Sequence, residues 1–235
     1  VKVLNSFLIF ISLCLSAYSQ LPQTGKQTEI NTAFSTSKNY PPNIWNDTIG
    51  SSAIDVKRSG TGESMMGNFV CDAMLNHTLA DFAFITYGEL YGELYKGEIT
   101  NLDMYRLIPF DRTLVVLEMN GDTLKQIIER TLGSLYSGMA ISGAKVEYDP
   151  DRPYHNRLTF VEIGVNPLYP KKIYRVVTID YLANGNAGFD LLQEINKTQV
   201  FRTGTLLRDV LIEQIKQYSP LDQTKVSIDN RWIMK

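Results

Sequence analysis

The chain has 235 residues, 44% hydrophobic and 20% charged, which is ordinary globular composition with room for one large domain or two small ones. Its formal net charge of -2 excludes the basic surplus that steers a protein toward nucleic acid or an anionic membrane, so no nucleic-acid partner is expected.

The chain begins VKVLNSFLIFISLCLSAYSQ. Lys2 supplies a positive start, Leu8 to Leu15 is an apolar run too short to span a bilayer, and small residues at Ala17 and Ser19 precede Gln20. This pattern predicts a secretory signal over residues 1–19, hence a periplasmic or secreted protein with no transmembrane segment in its mature form. Cys14 is a poor lipid anchor, because bulky Leu13 stands where lipoprotein signals place a small residue. Cleavage after Ser19 leaves Cys71 alone, so no internal disulfide is expected. Its setting, GNFVCDAML, is that of a small buried hydrophobe.

Residues 20–50 are rich in Thr, Ser, Asn, Pro and Gln and read as a poorly ordered polar leader. A single globular domain is expected over 51–235. A helix starts near Glu63-Ser64, with Met66, Phe69, Val70 and Met74 at helical spacing. Asp81–Thr86 reads as a buried strand, Thr100 as the cap of a short helix, and Thr113–Met119 as a strand. Asn120-Gly121 reads as a turn, with Asp122 capping a helix over Thr123–Leu132. Strands are expected at 143–148, 158–164 and 173–180, an amphipathic helix over Arg202–Tyr218, and a last strand in VSIDNRWI. Irregular alternation of helices and strands predicts an α+β fold with a mixed sheet.

Hydrolytic chemistry is thinly represented. Only His77 and His155 are present, too few for most imidazole-dependent metal sites, and no His-Glu-x-x-His, Gly-x-Ser-x-Gly or phosphate-loop motif occurs. No catalytic residue and no metal ligand is assigned.

The order of motifs between residues 63 and 222 resembles the C-terminal domain of the 5'-nucleotidase family. The segments that carry the likeness are ESMMGNFVCDAML, ADFAFIT, GEIT, IPFDRTLVVLEMNGDTLKQIIE, AISGAKVEYD, YRVVTIDYLANGNAGF and YSPLD. In that family an N-terminal domain holds two metal ions and the C-terminal domain binds the nucleoside. The resemblance implies a single substrate-binding domain, not catalytic alone. Divalent metals and phosphatase chemistry would then belong to a separate metallophosphatase chain.

By the same resemblance, Phe110 and Tyr181 take the places of two rings that sandwich the base, each contributing about 1–3 kcal/mol. The polar groups depart. Where the family has Asn-Gly-Gly-Gly-Ile-Arg, this chain has Thr86 at the Asn and Tyr91 at the Arg, within the repeat YGELYGEL. Tyrosine lacks the forked donors and charge of arginine. Ala187 stands at the family's ribose-binding Asp, with Asn186 beside it. Arg58 is a candidate for a family Arg before the first helix, and Arg112 for a compensating charge. Each lost charged hydrogen bond costs about 1.5–3 kcal/mol, so nucleoside or nucleotide binding is expected to be weak. Three readings follow: half of a split 5'-nucleotidase, a non-catalytic module stacking some other flat ligand, or an interaction protein using Tyr87, Tyr91 and Tyr95 as contact surface.

Overall fold

The computed structural model describes residues 45–58, 62–132 and 138–235, all within one compact unit, Pro41–Lys235. The expected signal segment and most of the leader lie outside the described residues. Strand β1 (Thr48–Ser52) begins within the segment read as leader and pairs antiparallel with β3 (Gly97–Thr100).

Helix α1 (Met65–Thr78) opens as its sequence demands. Ser64 is extended, and its hydroxyl accepts from the Gly67 N–H at 3.0 Å, satisfying a donor with no partner inside the helix. Met66, Phe69, Val70 and Met74 are all buried. Cys71 is buried too, and burial pushes its thiol well above the ordinary range, so it is inert packing. Gly67 lets the helix approach the sheet closely. A Cβ there would sit 2.7 Å from Ala140 Cβ and 2.9 Å from the Tyr87 ring.

Strand β2 (Phe82–Thr86) is buried along its whole length, as an apolar run with no polar alternation requires. The central sheet has the order β10–β4–β9–β2–β5, with β4 (Thr113–Asn120), β5 (Met139–Ser142), β9 (Ile173–Ile179) and β10 (Val200–Leu206). The β9–β2 pair is parallel and its neighbours are antiparallel, so the sheet is mixed and the α+β fold class holds. A second sheet joins β6 (Ala144–Tyr148), β7 (Leu158–Ile163), β8 (Asn166–Pro167) and β11 (Trp232–Met234). Phe82 and Phe84 are fully buried, each worth about 1.5–3 kcal/mol of burial, and Phe84 packs at 5.4 Å on Phe189. That contact ties the loop after β9 to the core.

Helix α2 (Asn101–Leu107) starts with the expected cap: Asp103 accepts from the Thr100 N–H at 2.9 Å and hydroxyl at 2.8 Å. Two expectations need correction. Asn120-Gly121 is not a free turn. Strand β4 runs straight into α3 (Gly121–Thr131), and the cap is the Asn120 side chain, accepting from Thr123 N–H at 2.8 Å, with Asp122 inside the first turn. Arg202–Leu206 is strand, not helix. It pairs with β4, and the Thr203 hydroxyl donates to Leu114 O at 2.9 Å. Helix α5 covers only Leu207–Tyr218, burying Val210, Leu211 and Ile215 against the core.

Candidate functional site

The register of two adjacent strands creates the site. Leu114 of β4 lies opposite Ile179 of β9, so the loop entering β4 and the turn leaving β9 meet at one end of the sheet. The first carries Phe110 and Arg112. The second is the short helix α4 (Asp180–Ala183), which carries Tyr181. Asp180 binds the two together: its Oδ1 accepts from Tyr181 N–H at 2.8 Å and from Thr113 N–H at 3.3 Å.

The loop before β4 is held from below. Buried Arg208, in the first turn of α5, donates to Ile108 O at 2.6 Å and to Asp111, and its guanidinium lies 3.7 Å from the Tyr105 ring centroid. Arg112 is pinned through its backbone. Its N–H donates to Phe110 O at 3.0 Å, and its carbonyl accepts from Leu207 N–H at 2.8 Å.

Phe110 and Tyr181 are both half-buried, and one group faces both rings. The Arg112 guanidinium carbon lies 4.8 Å from the Phe110 centroid and 4.3 Å from that of Tyr181, within cation–π range of each. Its Nε donates to Glu89 Oε2 at 2.8 Å, and the two side chains are only 20% and 9% exposed. Glu89, in the first half of the YGELYGEL repeat, carries a negative charge close to the two rings. The fold makes it the partner of Arg112, across 23 positions of chain.

YGELYGEL divides into two unlike halves. Tyr87–Glu89 forms a single 3₁₀ turn after β2, with Leu90 N–H donating to Tyr87 O at 3.3 Å. Tyr87 is not surface: it is 2% exposed, packed over the start of α1 with its hydroxyl 3.5 Å from Ser64 Oγ. Burial pushes its phenol up to about 12, so it stays neutral. An interface role for Tyr87 is thereby corrected, whereas Tyr95 is exposed. In the second half, Tyr91 N–H donates to Leu107 O at 2.9 Å, and the Tyr91 ring meets Phe110 edge-on at 5.6 Å. Gly92 is required by this docking, because a Cβ would come within 3.0 Å of the Arg106–Leu107 backbone.

The remaining candidates are scattered around this centre. Thr86 is buried at the end of β2, just ahead of the turn. Asn186 is exposed and donates from Nδ2 to Tyr181 O at 2.8 Å, bracing the ring's backbone. Arg58 is exposed, with its guanidinium on Leu90 O and its N–H on Glu93 Oε1 at 3.1 Å. Ala187 occupies a left-handed conformation, φ 53 and ψ 32. Open cavities among the described residues include one of about 230 Å³ between Gly121, Lys125 and Phe160 and, beside the end of α4, one of about 480 Å³ between Asn184, Gln193 and Arg202.

The arrangement brings a planar cation over two aromatic rings. Among the described residues no three His, Cys, Asp or Glu side chains stand together to hold a metal ion. Nor is any described helix long and apolar enough to cross a membrane.

Comparison with known proteins settles the lineage. The family profile of the 5'-nucleotidase C-terminal domain matches residues 37–194, well over half of the chain. The chain belongs to the 5'-nucleotidase family. It is 26% identical over 201 residues to a 5'-nucleotidase-related protein of Glossina morsitans morsitans, covering 74% of this chain and 36% of that one. It is 29% identical over 161 residues to Protein UshA of Salmonella pullorum, covering 68% and 28%. The chain therefore spans about a third of the length of these curated relatives. The same fold is seen in a 5'-nucleotidase precursor from Thermus thermophilus, with a TM-score of 0.75 at 24% identity, over 81% of this chain and 40% of that one.

Proposed function

We propose that this domain is the nucleoside- or nucleotide-binding half of a split metallophosphatase of nucleotide catabolism, secreted or periplasmic, and that a separate chain carries the divalent metals. The observation that carries this reading is that Phe110 and Tyr181 both lie against the Arg112 guanidinium, at the end of the sheet where β4 and β9 are in register, in a domain of this family. The family's chemistry needs a metal centre, and the described side chains offer no group for one. The names of the relatives, 5'-nucleotidase and 5'-nucleotidase-related protein, agree with a nucleotide as the substrate class.

The test is reconstitution. A secreted metallophosphatase chain without this domain, encoded beside it, is expected to co-purify with it. AMP hydrolysis with manganese is expected only in the mixture. Brisk, metal-dependent phosphate release by the purified chain alone overturns the proposal. A second reading has its own support: with Arg112 over both rings and Ala187 at the family's Asp, the domain is a non-catalytic binding module. It predicts a melting temperature raised by a flat ligand, lost in Phe110→Ala, with no hydrolysis in any mixture.

A further inference from the structure

One side chain lies over both of the candidate clamp rings. The Arg112 guanidinium is planar, of the kind that stacks on aromatic faces, and it lies 4.8 Å and 4.3 Å from the two ring centroids. It is not a free rotor. Its Nε–H is engaged by Glu89 at 2.8 Å, and both side chains are largely withdrawn from water. Glu89 is itself fixed, because its 3₁₀ turn is anchored by buried Tyr87 on one side and by the Leu90 N–H to Tyr87 O bond on the other. The Arg112 backbone is held at both its N–H and its carbonyl, so the side chain must swing without help from the main chain.

We infer that Arg112 is a built-in plug of the aromatic clamp, latched by Glu89, and that a flat ligand enters only by displacing it. The inference rests on the reading of Phe110 and Tyr181 as a nucleoside clamp. Its physical content is a population argument. The binding-competent state is the one with Arg112 out. Apparent affinity is therefore reduced by the fraction of molecules in that state. Swinging out takes Arg112 off two rings and strands the Glu89 carboxylate in a site that is only 9% exposed, so the open fraction is small. The substitution of the family's loop by YGEL thus does more than remove ligand contacts. It supplies the latch.

The experiment measures adenosine and AMP binding by calorimetry to the full chain and to Arg112→Ala, Glu89→Gln and the double variant Phe110→Ala/Arg112→Ala. Arginine side-chain NMR follows the Arg112 Nε–H. The plug predicts an upfield-shifted, exchange-protected Nε–H in the free protein that is released as adenosine saturates. It predicts affinity raised by about tenfold or more in Arg112→Ala, a smaller rise in Glu89→Gln, and loss of the gain in the double variant. Glu89→Gln keeps the test open should Arg112→Ala not fold. Adenosine binding equal to or weaker than wild type in both single variants overturns the plug and leaves the clamp standing. No binding of adenosine, AMP or UMP by any variant overturns the clamp, and the plug with it.

Discussion

Arg231 closes the C-terminal segment onto helix α1, and replacing it with methionine is a sharp test of how the domain is held together. The guanidinium sits inside a nearly complete cage. Nη1 and Nη2 reach the two oxygens of Asp72 at 2.8 and 2.9 Å, Nη1 also reaches Ile141 O at 2.8 Å, and Nε reaches Asp229 at 2.7 Å. Glu63 completes the junction from α1's side, accepting from Arg231 N–H at 2.8 Å and Asp229 N–H at 2.9 Å. Methionine keeps much of the volume and removes every donor. Breaking a buried ion pair costs about 3–5 kcal/mol when the stranded charge stays dry. Here Arg231 is 10% exposed, but Asp72 keeps 32% of its side chain in water and can rehydrate. The expected loss is therefore about 2–3 kcal/mol. Urea denaturation at pH 7 measures it, read as a lower midpoint at unchanged slope. A double-mutant cycle with Asp72→Asn should return a coupling of about 1–2 kcal/mol. A loss under about 0.5 kcal/mol, or strictly additive single variants, refutes the picture of a caged cation joining helix and tail.

The same cage sets an acid response. Burial works to raise the Asp229 carboxyl, but its hydrogen bond to Arg231 and that cation's charge outweigh it, and the group ends below the ordinary range. A carboxylate depressed in the folded state contributes stability above its unfolded value of about 3.9 and loses it as pH falls through the folded one. Asp229→Asn should therefore destabilise at pH 7, with the gap to wild type in urea melts narrowing as pH falls below about 3.9; a gap that widens on acidification contradicts the assignment. At Ala187, φ 53 is a left-handed strain that glycine relieves at some cost in unfolded-chain entropy, so Ala187→Gly is expected to gain about 0.5 kcal/mol. A drop in melting temperature there sinks the strain argument.

Much of the local structure was legible in the chain because its causes lie within a few residues. The Ser64 and Thr100 caps mark α1 and α2 through hydrogen bonds reaching only three positions ahead, and the unbroken apolar run at Phe82–Thr86 states that both faces of that strand are covered. The motif order was enough to name the family and to nominate Phe110 and Tyr181. Tertiary structure decided what those signals leave open. Residues 202–206 carry a polar, Thr-rich pattern that joins a helix on paper, yet an open edge of β4 takes them as a strand. Tyr87 looks like surface until α1 folds over it. Above all, the sequence offers Arg112 only as a spare cation and gives no sign that Glu89 is its partner. Only the sheet brings the loop before β4 beside the turn after β2, and only there do the two charges pair, with Arg112 over both rings. Short-range hydrogen bonding writes elements into a sequence; which side chains meet across a sheet depends on strand order and register, which no local pattern contains.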